Sequence, residues 1–346
     1  ESGMTGAKDL SEDFFKGRML LNLDSEDEGI LFIGCAGGMD TIGTMTFLRE
    51  PVPSGYGAFL LSVTGLRGGH SGDEIHKGFG NSVKIMTRII SELDREFGIS
   101  LSNFDGGNLR NAIPREAFAT IVAGKSMADT FSEHVKDLQS MFRKEYGDIE
   151  KDLKISLAVT GLPPYVTDRT SQDNLINLLE CCPHGVIAWS KEMKDLVETS
   201  TNLASVKFTG DDKITIVTTQ RSSSESSKRD ASAMVVSCMK PAGATITQSQ
   251  GYPGWTPDLN SGILNITRNA YRKLFGKEPD IRSIHAGLEC GLIYEKFKGI
   301  DMISFGPTIR GAHTPEEKIE IRTAKMFWDL LIEVINNIPP ITLNNN

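Results

Sequence analysis

Hydrophobic positions along the chain switch repeatedly between a period of two and a period near 3.6. From Tyr56 to Thr64 apolar residues alternate and the run stops at Gly65, which predicts a strand. Val83, Met86, Ile90, Leu93 and Phe97 then recur at helical spacing, with Asn81 placed to cap the start and Gly98 to stop the end. Phe131, Val135, Leu138, Phe142 and Tyr146 form a second amphipathic stripe, and Leu153, Ile155, Leu157 and Val159 alternate as a strand. Leu203–Phe208 and Ile214–Val217 flank residues 209–213 as a hairpin. Lys228–Met239 predicts a helix that ends before Pro241. The last helix carries Phe327, Leu330, Leu331, Val334 and Ile335 on one face and ends at Pro339-Pro340.

This alternation predicts an α/β fold. Composition breaks at residues 51–55 (Pro-Val-Pro-Ser-Gly) and 251–255 (Gly-Tyr-Pro-Gly-Trp) divide it further. Residues 51–250 then form an inserted α+β domain, while 1–50 and 251–346 fold together as one interrupted domain. With 39% hydrophobic and 24% charged residues, the composition is that of a globular protein. A formal net charge of -8, with no dense basic run, speaks against a nucleic-acid partner. No stretch reaches the ~18 apolar residues of a membrane helix. Cys35, Cys181, Cys182, Cys238 and Cys290 are odd in number and lack C-x-x-C spacing, which fits reduced thiols in a cytoplasmic protein. The chain opens Glu1-Ser2-Gly3-Met4 and reads as the middle of a longer protein.

Several segments could carry chemistry. Asp24 is the first carboxylate after the apolar run Met19-Leu20-Leu21, at the end of a strand, where α/β sites form; taken locally, a solvated acidic turn is the plainer explanation. His313, in Gly-Ala-His-Thr-Pro, has no apolar face to bury and is a metal ligand or a surface histidine. Glycines around His70 permit close approach to a ligand, or simply a tight turn. Arg110 and Asn111 offer polar contacts beside a turn and strand. No Gly-x-Ser-x-Gly elbow supports a serine nucleophile, and Cys35 and Cys290 suit packing better than attack.

Together the motifs resemble the aminoacyl-histidine dipeptidases, a branch of the two-zinc family that also includes carboxypeptidase G and aminoacylase. The resemblance rests on Leu23-Asp24-Ser25-Glu26, Gly34-Cys35-Ala36-Gly37-Gly38, Gly68-Gly69-His70-Ser71-Gly72, Leu109-Arg110-Asn111-Ala112-Ile113-Pro114 and Tyr252-Pro253-Gly254-Trp255. His285-Ala286-Gly287-Leu288-Glu289-Cys290-Gly291 narrows it to the dipeptidase branch, and Gly306-Pro307-Thr308 with Gly311-Ala312-His313 completes it. It implies an interrupted zinc-peptidase domain, built on a mixed sheet with flanking helices and incomplete here, plus a large lid. It also implies two zinc ions, dipeptide hydrolysis of the Xaa-His type, and a homodimer as a candidate assembly.

By resemblance, Glu1 and His313 ligate one zinc and Asp24 the other, and His70 hydrogen-bonds the oxyanion. Asn111 and Arg221 hold the substrate backbone and carboxylate, and Gly287 and Glu289 line the cleft. His76, His134, His184 and His285 read as structural or surface residues. The family's His-x-Asp motif, bridging Asp and general-base Glu would all precede Glu1. The chain by itself is therefore expected to bind zinc weakly, to show little activity and to expose apolar edges in its first domain. Asn108 stands where Thr is expected. A lid of about two hundred residues is expected to be doubled and to supply His70 in cis. A deacylase of the same family and a non-catalytic lid module remain alternatives.

Overall fold

The computed structural model describes residues 5–11, 14–210, 212–310 and 317–340; Glu1 and His313 lie outside them. After a short helix at Thr5–Lys8 the chain enters a small sheet with β1 (Met19–Asn22) and β2 (Ile30–Cys35) and crosses at once into a larger one with β3 (Gly37–Thr46). There follow β4 (Tyr56–Thr64), α1 (Ser82–Phe97), β5 (Ser100–Gly106), β6 (Ala117–Gly124), α2 (Ala128–Tyr146) and β7 (Lys154–Thr160). Next come α3 (Arg169–Cys181), β8 (Gly185–Trp189), β9 (Val197–Thr209), β10 (Lys213–Ser222), α4 (Glu225–Met239) and β11 (Thr245–Gln248). The chain then returns to the small sheet with α5 (Gly262–Phe275), β12 (Asp280–Ile284), α6 (Glu289–Lys296), β13 (Asp301–Ser304) and α7 (Ile321–Asn337).

The small sheet has the order β1-β13-β2-β12, with β1 parallel to β13 and β12 parallel to β2. The large sheet is antiparallel, ordered β7-β4-β6-β5-β9-β10-β3-β11, with β8 added on β9. That order contains a repeat. β4-α1-β5-β6-α2-β7 folds with strand order β5-β6-β4-β7, and β3-α3-β9-β10-α4-β11 folds with the equivalent order β9-β10-β3-β11. The two units join through β5 and β9, pairing Gly106 with Val206 and Asp105 with Lys207. The lid is thus doubled within one chain, with the first unit inserted between β3 and α3 of the second.

The domain boundary at residue 51 therefore needs correction. β3 pairs with β10 along its whole length and belongs to the large sheet, so the crossing lies near residue 36. The Pro51–Gly55 break is instead the connection from β3 toward β4, inside the lid. The return crossing does lie near Tyr252–Trp255. It runs beside the outward one: Cys35 and Trp255 exchange N–H···O bonds of 2.9 Å each, and Gly38 and Tyr252 exchange bonds of 3.0 and 2.8 Å. A Cβ at Gly37 would lie 2.5 Å from the Gly254 nitrogen, so this pairing requires glycine.

Local sequence explains the elements that hold this frame. Asn81 Oδ1 accepts the Val83 and Lys84 N–H groups, and Gly98, at φ 63°, ends α1 in the left-handed region. Val83, Met86, Ile89, Ile90 and Leu93 bury one face of α1 in a core shared with Phe104, Phe131, Ile121 and Leu203. A second core joins Leu31, Ile33, Leu264, Tyr271, Ile303 and Leu330 in the small sheet. Helix α7 buries Leu330 and Val334 but leaves Trp328, Ile332 and Ile335 exposed on another face.

Candidate active site

His70 sits in a two-residue ribbon, with Gly69 opposite Ile113 and His70 opposite Ala112. Glu74 fixes the turn by accepting the His70 N–H at 2.9 Å. The ring's Nδ1 accepts from the Gly72 and Asp73 backbone N–H groups at 3.3 and 3.1 Å. A ring nitrogen receiving two N–H bonds carries no proton, so the neutral imidazole holds its proton on Nε2 as an available donor. Burial first, and the Arg221 charge second, hold His70 below the ordinary histidine range.

The turn lies on the small-sheet domain. A Cβ at Gly72 would come within 2.2 Å of the His285 carbonyl oxygen, so glycine is needed for the backbones to touch. His285, just past β12, is buried and its Nε2 lies 2.7 Å from Ser200 Oγ on β9. Burial, then the charges of Arg221, His76 and His70, pushes His285 down to about 3. The structural-or-surface reading of His285 thus needs refinement: it is a buried bridge across the seam between the sheets. His184 is half-buried with its Nδ1 3.2 Å from Asn81 Nδ2, His134 lies beside Glu92, and His76 packs edge-on to Trp189.

Arg221, opposite Ser200 on β9 and Gly38 on β3, is only 6% exposed. Its Nη1 donates to Tyr252 Oη at 2.7 Å, while its buried Nε has no partner among the described residues. It lines a cavity of about 970 Å³ with Asp40, Arg110, Asn111, Thr219 and Tyr252. A second cavity of about 540 Å³ contains His70 and shares Asn108, Leu109 and Asn111 with the first. The loop bearing Asn111 therefore joins the histidine end of the cleft to the guanidinium end. Ser71 N–H donates to the Asn111 carbonyl at 2.9 Å, coupling that loop to the His70 turn.

Two buried side chains pin the loop from below. Asn202 Nδ2 donates to the Ala112 carbonyl at 2.8 Å, and Thr219 Oγ1 donates to the Arg110 carbonyl at 3.0 Å. Arg110 closes the set with Asp40 at 2.8 Å. Asn202→Ala should raise KM for a dipeptide about tenfold with less effect on kcat, since the loss of about 1.4 kcal/mol falls on substrate positioning. A kcat loss at unchanged KM would reject that role. The sequence did not point to Asn202 or Thr219, because polar residues within a strand carry no periodic signal for what they bond, and it brought in Tyr252 only as part of the Tyr252–Trp255 motif.

At the other domain, Asp24 lies exposed two residues beyond β1. Asn22 and Ser25 both hydrogen-bond Ser304 at the end of β13, at 3.0 and 2.6 Å, so the two strands run out side by side. The chain past β13 stays there: Ile309 N–H donates to Glu26 O, and Arg310 Nη1 lies 2.8 Å from Asp27 Oδ1. Ile309 and Arg310 thus lie beside Glu26 and Asp27. Asp24 is also among the charges acting on Cys290, in the first turn of α6, which Glu289 opens and Gly287 precedes. Burial raises the thiols of Cys290 and of Cys35, the latter to about 11, which removes both as nucleophiles at neutral pH. Among the described residues no group of three or more His, Cys, Asp or Glu stands together to hold a metal ion. Asp24 is a suitable oxygen donor, but the described residues alone do not complete a metal site.

The chain is 41% identical over 339 residues to the cytosol non-specific dipeptidase of Escherichia coli (strain K12), covering 98% of this chain and 70% of that protein. It belongs to the aminoacyl-histidine dipeptidase family. The crystal structure of the aminoacylhistidine dipeptidase from Vibrio alginolyticus superposes with a TM-score of 0.93 at 40% identity, covering 99% of this chain and 69% of that one. Residues 54–150 match a peptidase dimerisation domain. In this dipeptidase chain the match falls on the first lid unit, whose β5 edge is already paired with β9 of the same chain.

Proposed function

We propose that the protein hydrolyses dipeptides bearing a free C-terminal carboxylate, with an Xaa-His dipeptide as the preferred class, in an active site that the described residues do not complete on their own. The observation that carries this reading is Arg221, a buried cation with an unpartnered donor, sharing a cleft with Asn111 one loop away from neutral His70. A guanidinium presents parallel N–H donors that match a carboxylate, and a cleft with such an anchor favours short substrates. The Asn111 amide would hold the substrate backbone. His70 Nε2–H would donate to the oxyanion as the peptide carbonyl becomes tetrahedral, without gaining or losing a proton.

Hydrolysis in this family is metal-dependent. The proposed centre uses Asp24 together with Glu1 and His313, the latter two outside the described residues, and two zinc ions as the metals. A bound divalent ion would supply Lewis acidity, polarising the carbonyl and lowering the pKa of the attacking water. Gly287 and Glu289 would line the cleft near Asp24, supported by the shared influence of Asp24 and Glu289 on Cys290. A cytoplasmic location is the matching proposal; among the described residues no helix is long and apolar enough to cross a membrane. For a homodimer, supported by the dimerisation-domain match, the partner would use an edge other than β5.

His70→Ala in the active enzyme is expected to lower kcat on a dipeptide by about 10²-fold with KM nearly unchanged, the signature of a group that acts in the transition state. Activity within threefold of the parent would refute the assignment. Assaying dipeptides beside N-acyl amino acids separates this reading from a deacylase, which would prefer the latter.

A further inference from the structure

Two of the five thiols meet where α3 and α4 end in the second lid unit, and neither lines the cleft. Cys181 is the last residue of α3 and is exposed; Cys238 is the penultimate residue of α4 and is partly exposed. They are 57 positions apart in sequence, yet Cys238 Sγ lies 3.2 Å from Cys181 Sγ, its S–H shared between that sulfur and the Met234 carbonyl at 3.3 Å. The remaining three cysteines, Cys35, Cys182 and Cys290, are buried. Lys84, reaching over from α1, donates Nζ to the Leu179 and Glu180 carbonyls at 2.6 and 3.0 Å and holds the end of α3 in place. Its ammonium charge lowers the thiols of Cys182 and Cys238, against the larger effect of their burial.

We propose that Cys181 and Cys238 form a site of reversible oxidative modification, converted by hydroperoxides into a disulfide that ties α3 to α4. Cys181, the exposed member of the pair and the acceptor of the Cys238 S–H, is the sulfur that meets the hydroperoxide first. Its sulfur takes the terminal oxygen of the hydroperoxide as the O–O bond breaks, giving a sulfenic acid and water or an alcohol. Cys238 sulfur then attacks Cys181 sulfur, the S–S bond forms, the S–O bond breaks, and a second water leaves with the thiol protons. Two thiols lose two electrons and one hydroperoxide gains them. Cys238 is placed for the second step by its 3.2 Å approach to Cys181 Sγ; burial, then that hydrogen bond, raise its thiol to about 11, so its proton leaves as the S–S bond forms. Cys182 is next to Cys181 in sequence but faces the core, and burial pushes its thiol to about 12.

The test treats the full chain with a few-fold excess of hydrogen peroxide, then counts thiols after denaturation and maps non-reduced peptides. The expected result is a fall from five thiols to three, one peptide pair joining 181 to 238, and full recovery with dithiothreitol. In Cys238→Ser, Cys181 should instead accumulate as a sulfenic acid that dimedone traps. Five remaining thiols, a 181–182 link, a link between two chains, or equal dimedone trapping in parent and variant would each overturn the proposal.

Discussion

Replacing Arg221 with methionine is expected to lower kcat/KM for a dipeptide by about a thousandfold. Removing one partner from a desolvated, hydrogen-bonded charge pair costs 2–5 kcal/mol, and about 4 kcal/mol corresponds to that factor. The loss falls in the upper range because Arg221 is only 6% exposed and its side chain makes a single hydrogen bond among the described residues, to Tyr252. Methionine keeps the length and apolar volume of the stem, so the lid strand should persist. The decisive control is a dipeptide amide, which has no carboxylate. The parent should lose activity on it, while Arg221→Met should show less than a tenfold further loss. Equal penalties on acid and amide would show that Arg221 does not grip the carboxylate. A second readout follows from electrostatics. The Arg221 charge helps hold His70 below its ordinary range, so in the variant the acid limb of the pH–rate profile should move toward higher pH.

The second large effect is a loss of stability in mild acid. His184 is held at about 4 and His285 at about 3, each chiefly by burial. Local bonding agrees: His184 Nδ1 faces the Asn81 Nδ2 and Leu203 N–H donors, and His285 bonds Ser200. Unfolded histidine titrates near 6.5. As pH falls below that value the unfolded chain takes up protons that the folded chain refuses, so stability present above pH 6.5 is lost progressively. The loss runs on to about pH 4 for His184 and about pH 3 for His285. Between pH 6.5 and 5, before most carboxylates titrate, each histidine should cost about 2 kcal/mol. Urea unfolding across that window measures it, and His184→Gln should remove about half of the slope. A flat stability profile from pH 6.5 to 5 would show that neither ring is held neutral.

Much of the frame was legible in the chain's own pattern. Tyr56–Thr64 is a strand with the expected bounds, and the helix from Asn81 to Gly98 has its expected cap and stop. Those signals are local: alternation, a capping side chain and a glycine at positive φ each act within a turn or a strand. The helix Arg169–Cys181 and the strand Gly37–Thr46 went unread for the opposite reason. The strand's Gly-Gly-Met-Asp-Thr-Ile-Gly-Thr-Met-Thr has no clean period, and its stability comes from pairing on both sides, with β10 and β11. The same pairing moved the domain boundary away from a proline-rich stretch that only looked like a linker.

By itself, the sequence determined the residue chemistry of the cleft, the family it resembles and the lid elements in chain order. It could not state that β5 and β9 close the two lid units against each other, because hydrogen bonding between strand edges leaves no mark on either strand alone. Nor could it show that Gly72 touches His285, that Tyr252 holds Arg221, or that Cys181 meets Cys238 across 57 positions. Each of these is a contact between distant segments, set by which faces of two packed layers meet rather than by any local preference of the chain.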